Sequence, residues 1–343
     1  MSSALEAPVG QRELSIDILY TGGTFGMVDH GDGLHPRKGI GEEIATVVRE
    51  FAAGSGIPVG LRYTELDEVI DSANADHDTA RRIAARVRSR LTDHCDGVIV
   101  IHGTDTMAYV GARMAFELHD IPVPVMLTGA QIPLGQRGSD ARDNLWMALD
   151  SIATHPGPGT FIAFGAAVHP AVRASKRSAD GYDAFVTLRK YTPPATRALP
   201  AAWPGETTSP VGLFTAFPGM DPDLLDVALR IYHGGVVLEC YGAGTMPMHG
   251  SATVEAVRRA ADRGTPVVVI THCDSGSVDL ALYRPGRALL DAGALPGGDM
   301  TREAALAKLS YLAALNLPST ELRRMLTTNL LGELTDHPHI DEN

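Results

Sequence analysis

The 343-residue chain has room for about two domains, and its 44% apolar and 20% charged residues exclude an intrinsically disordered chain. Its net charge of −12, from 29 basic and 41 acidic residues, argues against a nucleic-acid partner, because contacts to phosphate need lysine and arginine. The three cysteines lack CxxC spacing, no apolar run approaches the ~18 residues of a membrane span, and the N-terminus lacks a signal-peptide pattern, so we expect a cytoplasmic protein.

The first half of the chain alternates short apolar runs with amphipathic segments. The runs are rich in β-branched residues and bounded by Gly, Pro or Asp, which predicts strands over residues 14–20, 97–101, 123–127 and 160–164. Apolar residues at helical spacing predict helices over 76–94 and from Thr106 onwards. Continuous apolar strands separated by helices are typical of a parallel sheet that is covered on both faces.

A proline-rich stretch follows this half. Residues 191–210 hold five prolines and few bulky apolar residues, which indicates a linker or a long surface loop. Beyond it, strands are predicted over 211–217, 235–239 and 266–271, and helices over 221–232, 251–263, 301–315 and 319–330. We therefore predict an α/β protein with a larger N-terminal three-layer domain at 14–191, a linker at 192–210 and a smaller C-terminal α/β domain at 211–332.

Polar residues follow three of the predicted strands. Thr21-Gly22-Gly23-Thr24 comes after the first, His102-Gly103-Thr104-Asp105-Thr106 after the second, and Thr128-Gly129-Ala130-Gln131 after the third. Ligands of open parallel sheets bind beyond the carboxyl ends of the strands, so we expect these loops to meet. One such loop could be an ordinary turn or helix cap, but three together indicate a site.

The residue types in these loops exclude several kinds of chemistry. The first loop lacks GxGxxG spacing, and GxxxxGK[ST], HExxH and GxSxG do not occur, which argues against nucleotide, zinc-protease and serine-hydrolase sites. A threonine hydroxyl becomes a nucleophile when a base takes its proton and donors hold the oxyanion. Lys176, in a polar loop after the fourth strand, is a candidate for that base.

Taken together, these segments resemble bacterial L-asparaginases. The resemblance rests on the first two loops, on Gly129-Ala130-Gln131-Ile132-Pro133-Leu134 and on Gly297-Gly298-Asp299-Met300-Thr301, and it runs from about residue 14 to residue 330. The Ile70-Asp71-Ser72 loop and the segment around Lys176 are more similar to the cytoplasmic type I branch than to the secreted type II branch.

The resemblance implies hydrolysis of L-asparagine to L-aspartate and ammonia, with no cofactor and no metal; the preference between asparagine and glutamine stays open. It implies that Thr24 is the nucleophile, that Thr104, Asp105 and Lys176 form a proton-moving triad, and that the N–H groups of Gly23 and Thr104 hold the oxyanion. The substrate-binding residues that it implies are Gly23, Asp71, Ser72, Thr104, Asp105 and Ala130.

Two segments bear on how the family pattern applies here. The family commonly has a tyrosine in the lid after the nucleophile, whereas this chain has Leu34 there and no tyrosine over residues 25–39, so His35 is a candidate substitute. Thr271-His272-Cys273 resembles a segment that lines a second, regulatory asparagine site in some type I members, the alternative being a strand end at a subunit interface.

The resemblance also implies a homo-oligomer, either a dimer or a tetramer, in which a neighbouring subunit completes each site. No nucleic-acid or membrane partner is expected. Two other functions stay open: an asparagine-binding sensor without turnover, and the asparaginase-like subunit of a tRNA amidotransferase. That subunit carries an extra N-terminal domain, whereas about 13 residues precede the first predicted strand here.

Overall fold

A computed structural model describes residues 12–154, 157–193, 199, 210–248 and 250–335. Most of the predicted linker at 192–210 lies outside the described residues, so the linker and the domain limits 14–191 and 211–332 stay predictions. Across the described ranges, we find no helix with the length and apolar character that a membrane span requires.

Strands and helices alternate along much of the chain. In chain order the strands are β1 (Leu14–Gly22), β2 (Val28–Asp29), β3 (Leu34–His35), β4 (Val59–Ile70), β5 (Gly97–Ile101), β6 (Pro124–Thr128), β7 (Gly159–Phe164), β8 (Ala167–Pro170), β9 (Ala174–Lys176), β10 (Phe185–Thr187), β11 (Val211–Thr215), β12 (Gly235–Cys240), β13 (Val267–Thr271) and β14 (Leu295–Pro296). The helices are α1 (Gly41–Ser55), α2 (Thr79–Arg90), α3 (Met107–Glu117), α4 (Ala141–Thr154), α5 (Pro222–Ile231), α6 (Ala252–Asp262), α7 (Arg284–Asp291), α8 (Arg302–Ala313) and α9 (Ser319–Leu326). Short 3-10 helices cover Thr24–Gly26, Ser72–Asn74 and Ala171–Arg173.

The larger sheet has the strand order β4-β1-β5-β6-β7-β8, and neighbours are parallel except β7 and β8. Alternation along β5 separates two apolar layers, because successive side chains of a strand point to opposite faces. Val98 and Val100 pack with α2 and α3, whereas Ile99 and Ile101 pack with α1 and α4. Helices therefore cover both faces of the sheet, and the predicted three-layer arrangement is confirmed.

Strand β4 is an edge strand that the sequence patterns above do not predict. It carries Arg62, Glu65, Asp67 and Glu68 and is half-buried or exposed along its length, so it lacks the continuous apolar run of a buried strand. Because β4 pairs with β1 in parallel, the Asp71 loop that follows β4 lies at the carboxyl edge of the sheet.

The smaller sheet has the order β11-β12-β13-β14 with all neighbours parallel. Apolar residues of α5, α6 and α7 pack on one of its faces, and those of α8 and α9 pack on the other. Helix α8 also packs against α3, where the rings of Phe116 and Tyr311 stack with centroids 5.6 Å apart. The predicted smaller C-terminal α/β domain is thus confirmed, and α3 and α8 join it to the larger one.

Candidate active site

Three loops meet at the carboxyl edge of the larger sheet because β4, β1 and β5 are neighbours. Their contact is close enough to require glycine: a Cβ on Gly23 would lie 2.3 Å from Gly103 Cα, and a Cβ on Gly103 would lie 2.4 Å from Ser72 Oγ. Gly23 also has a φ of +78°, which side-chain-bearing residues seldom adopt. The loops after β1, β4 and β5 therefore form one surface. The sequence predicts the meeting of the loops after β1 and β5, whereas the Asp71 loop after β4 was expected only from the family resemblance.

Lys176 joins this surface from a distant part of the chain. Its ammonium Nζ donates to Thr104 Oγ1 at 2.9 Å and to Asp105 Oδ1 at 2.8 Å. The lysine side chain is 18% exposed and that of Asp105 is 62% exposed, so the ion pair faces solvent on its carboxylate side. Three of the four residues predicted to act in catalysis are thus in direct contact.

Lys176 lies on the same face of its strand as Ala174, because alternate residues of a strand share a face. Lys176 is the last residue of β9, and in the short hairpin of β9 and β10 it pairs with Phe185. Ala174 and Phe185 are buried in the core against α3, which fixes the hairpin on the body of the domain. The hairpin continues into a loop through the bond from Arg177 N to Ala184 O at 2.6 Å.

The other predicted residues lie on the same loops. Thr24 is half-buried and begins the 3-10 helix that follows Gly23, Ala130 is buried after β6, and Asp71 is half-buried at the start of the 3-10 helix after β4. Within the described residues, no hydrogen bond joins Thr24, Asp71 or Ala130 to Lys176. The N–H group of Gly23, which the resemblance assigns to the oxyanion, donates to Ile70 O at 3.0 Å.

A buried histidine, His102, links the loops that follow β1 and β5. Burial lowers the pKa of His102 to about 4, so the imidazole is neutral at physiological pH. Thr21 Oγ1 donates to Ile101 O at 2.9 Å and lies 2.8 Å from His102 Nδ1, and it therefore accepts from an Nδ1–H group. His102 thus ties the β1 loop to the β5 loop.

The sequence interpretation missed two further residues. Gln131 places its side chain between the loops: Oε1 lies 3.4 Å from Thr104 Oγ1, and Nε2 donates to Gly181 O at 3.1 Å. The buried carboxylate of Asp140 accepts from the backbone N–H of Gln131 at 2.9 Å and of Ile132 at 3.0 Å, which fixes that loop. The position of Asp140 directly before α4 is the signal of a helix cap, but its partners depend on tertiary structure.

The predicted lid forms a small hairpin of β2 and β3 next to Thr24. Leu34 is 44% exposed on it. His35 is exposed as well, and its Nε2 lies 3.0 Å from Asp32 Oδ1. The substitution of His35 for the missing tyrosine stays a prediction.

A cavity of about 430 Å³ lies between the larger domain and the C-terminal domain, and Asp105, Lys176 and residues 271–273 line it. On its wall Ser175 Oγ donates to Glu303 Oε1 at 2.8 Å, and burial raises the pKa of Glu303. Segment 271–273 thus lies near the lysine, while its regulatory role stays a prediction. In the part of the chain that the structure describes, we find no cluster of three or more His, Cys, Asp or Glu residues suited to a metal ion.

Comparisons with known proteins agree with this geometry. Residues 15–197 match the family described as "Asparaginase, N-terminal", and residues 210–326 match "Glutaminase/Asparaginase C-terminal domain". L-asparaginase 1 of Escherichia coli strain K12 is 34% identical over 342 residues, covering 94% of this chain and 99% of that protein. A glutamyl-tRNA(Gln) amidotransferase subunit of Aeropyrum pernix is 31% identical, with coverages of 97% and 82%.

Solved structures point the same way. The crystal structure of L-asparaginase I from Vibrio cholerae matches with a TM-score of 0.81 at 31% identity, covering 94% of this chain and 100% of that one. The relatives named L-asparaginase 1 and I confirm the predicted similarity to the type I branch. The contacts at the sheet edge and the matches across both domains agree, and the chain belongs to the asparaginase family.

Proposed function

We propose that this protein hydrolyses the side-chain amide of L-asparagine to L-aspartate and ammonia. The observation that carries the proposal is the pair of bonds from Lys176 Nζ to Thr104 and Asp105, on a loop that touches the Thr24 loop through Gly23 and Gly103. An ammonium held by both a hydroxyl and a carboxylate can pass a proton between them. Thr24 then supplies the hydroxyl that a covalent mechanism needs.

In the first step the Thr24 oxygen attacks the amide carbon, and a carbon–oxygen bond forms. The carbon–nitrogen bond then breaks, and the proton from the Thr24 hydroxyl leaves on ammonia, so that an acyl ester remains on Thr24. We assign the developing oxyanion to the N–H group of Thr104. The N–H group of Gly23 contributes only if it releases Ile70 O, its partner at 3.0 Å.

In the second step water attacks the ester carbon. As Thr104 takes a proton from that water, its own hydroxyl proton passes to Lys176 and a Lys176 proton passes to the Asp105 carboxylate; the ester bond to Thr24 breaks, and the relay runs in reverse to return a proton to the Thr24 oxygen. Aspartate is released and the hydroxyl is regenerated. Before and after this transfer the Lys176 ammonium lies beside the Asp105 carboxylate, and the pairing of opposite charges limits the cost of holding a charge near the reacting ester.

The α-ammonium of the substrate needs carboxylates as partners, and its α-carboxylate needs hydrogen-bond donors. We assign the α-ammonium to Asp105, whose side chain is 62% exposed, and to Asp71 on the neighbouring loop. The buried hydroxyl of Ser72 serves the α-carboxylate, and the carbonyl of Ala130 accepts from the amide nitrogen. These groups lie on loops after β4, β5 and β6, and they leave no need for a cofactor in the reaction.

Ammonia release tests the proposal directly. The purified protein is incubated with L-asparagine, with L-glutamine and without amide, and ammonia is measured over a range of concentrations. The proposal is supported if the wild type releases ammonia from asparagine and the variant Thr24→Ala does not. Thermal protection by asparagine that stays intact for hours would instead support a sensor, for which Leu34 in the lid is the favouring observation.

The relative from Aeropyrum pernix keeps open a second candidate, a tRNA amidotransferase subunit. A binding assay with tRNA at low and moderate salt separates the two functions. Tight binding that weakens steeply with salt would support this second candidate, because phosphate contacts release counterions. With a net charge of −12, we expect no such binding.

The proposal includes a homo-oligomer, a dimer or a tetramer, in which a neighbouring subunit completes the site. The exposure of Asp105 and the cavity of about 430 Å³ beside it leave room for such a contact. Light scattering on the eluting protein measures the assembly. A monomer with full activity would contradict a shared site.

A further inference from the structure

The hairpin that carries Lys176 is attached to the C-terminal domain at its entry. Arg173 comes directly before β9 and is fully buried. Its Nε donates to Gly332 O at 2.7 Å, and its Nη1 donates to Asp299 O at 3.0 Å and lies 3.2 Å from the carboxylate Oδ2 of the same residue. One guanidinium of the larger domain is therefore held almost entirely by the smaller domain.

A second arginine attaches the exit of the hairpin. Arg189 follows β10, and its guanidinium donates to Gly276 O at 3.1 Å, to Met300 O at 3.3 Å and to Cys273 O at 2.5 Å. Its φ of +64° is uncommon for a residue with a side chain. Such a backbone conformation persists where the surroundings hold it, and here three carbonyls of the C-terminal domain do so.

The carboxylate of Asp299 makes the first attachment a charged one. Thr335 donates to it from its backbone N at 2.8 Å and from its hydroxyl at 2.6 Å. Burial alone would raise the pKa of Asp299, but the bonds from Thr335 and the Arg173 guanidinium hold it below its usual value. The carboxylate is therefore ionised, and hydrogen bonds between ionised partners are stronger than neutral ones.

The hairpin depends on its surroundings, and the two arginine attachments add to the packing of Ala174 and Phe185 against α3. Each of its strands has three residues, and a two-stranded ribbon of that length is not stable alone. The bond from Leu188 N to Arg173 O at 2.9 Å links its two ends, so the attachments act on one unit. Lys176 lies at the far end of β9, between the two attachments along the chain.

We propose that Arg173 and Arg189 are positioning residues that fix the hairpin to the C-terminal domain and so hold Lys176 within hydrogen-bond distance of Thr104 and Asp105. This inference rests on the proposed function, and it gives the C-terminal domain a role in turnover within a single chain. A displacement of about 1 Å in a catalytic group costs on the order of a hundredfold in rate. Loss of either attachment is therefore expected to lower kcat and to change KM little.

The test compares Arg173→Lys and Arg189→Lys, alone and together, with Arg113→Lys. Arg113 is the matched control, because it is also a buried guanidinium that crosses from α3 to Ser310 of α8, but it does not touch the hairpin. Lysine keeps the charge but cannot reach several carbonyls at once. We expect kcat to fall about tenfold to a hundredfold in each single variant. We also expect KM to change less than about threefold, the pH profile of kcat to shift, and the double variant to lose less than the product of the single losses.

Hydrogen exchange separates failure of this inference from failure of the proposed function. Amides of residues 174–187 should exchange faster in the Arg173 and Arg189 variants than in the wild type and in Arg113→Lys, whether or not asparagine is hydrolysed. Unchanged exchange in folded variants, or a fall in kcat that Arg113→Lys shares, would overturn the inference. If Arg173→Lys does not fold, the same measurements on Arg189→Lys test the inference, because Arg189 is only half-buried.

Discussion

The two sheets of the molecule share an architecture but differ in what lies at their carboxyl edges. In the larger sheet, the loops after β1, β4 and β5 touch one another, and Asp105 is 62% exposed there. In the smaller sheet, Glu239 near the end of β12 is 2% exposed, accepts from Thr215 Oγ1 at 2.9 Å and pairs with Arg302 at 2.7 Å. One edge leaves a carboxylate exposed, whereas the other pairs its carboxylate with neighbouring side chains.

This difference teaches that a strand-end position alone does not make a site. Both edges carry hydroxyls and carboxylates, as the carboxyl ends of parallel strands often do. What distinguishes them is whether those groups stay accessible and lie next to the threonine proposed as the nucleophile. Substitutions at equivalent places of the two sheets should therefore have unlike effects, on turnover at one edge and on stability at the other.

The largest effect is expected for Thr24→Ala, which removes the proposed nucleophile. We expect kcat to fall by more than about 10³-fold, because the covalent route is lost. Thr24 is half-buried on a loop, so the melting temperature should stay close to that of the wild type. Ammonia release and thermal unfolding measure both, and Thr24→Ser, which keeps a hydroxyl, should retain measurable turnover. A fully active Thr24→Ala variant would refute the assignment.

A smaller but still large effect is expected for Lys176→Met and for Thr104→Ala. Each breaks the bond between Nζ and Oγ1, so the proton transfer loses its relay, and kcat should fall about 10²- to 10⁴-fold. Lys38→Met is the control, since Lys38 donates from an exposed position to Asp67 O at 2.7 Å. It should keep kcat within about twofold of the wild type. Equal losses in Lys38→Met and Lys176→Met would remove the special role of Lys176.

The sequence predicted the buried strands well because their composition reflects burial. β5 is apolar at every position and has the predicted limits, and the helix predicted over 76–94 is observed as the shorter α2. β4 was missed because an edge strand tolerates charge, and β14 was missed because two residues carry no pattern. α4 and α7 were not predicted either.

The site was predictable in part. The strand-end rule places Thr24 and Thr104 at one edge from the sequence alone. It does not bring in Lys176, which is 71 residues from Asp105 and reaches it from a hairpin that packs against α3 and is flanked by Arg173 and Arg189. The residues alone indicate Lys176 as a candidate base, and its place beside Thr104 and Asp105 was predicted from the family resemblance. The contacts of Gln131 and Asp140 depend on how loops fold over one another, for which local sequence carries no signal.

A stability effect is expected at the same edge from His102→Gln. His102 is held neutral with its pKa lowered to about 4, whereas in the unfolded chain its pKa is about 6.5. The unfolded state binds the proton first, so the wild type loses stability as the pH falls through this window. Between about pH 7 and pH 4.5 we expect it to lose about 2 kcal/mol more than the variant does.

Denaturant unfolding of both proteins at the two pH values measures that difference. His169→Gln controls for the loss of a buried histidine elsewhere in the fold. Burial lowers the pKa of His169 as well, but this residue lies on β8, away from the site edge. A pH dependence of the wild type that His102→Gln reproduces in full would show that His102 does not titrate in this window.

The smallest effect is expected for Thr215→Val at the edge of the smaller sheet. The substitution removes one hydrogen bond to the buried carboxylate of Glu239, while Arg302 still pairs with that carboxylate. The free energy of unfolding should fall by about 1–2 kcal/mol, and kcat should stay within about twofold. Thr24→Ala changes the same residue type next to a strand end with the opposite outcome, so measuring kcat and stability for both variants tests the comparison itself. A large loss of kcat in Thr215→Val would mean that the smaller sheet takes part in the chemistry, and that its satisfied carboxylate matters to the site as well as to the fold.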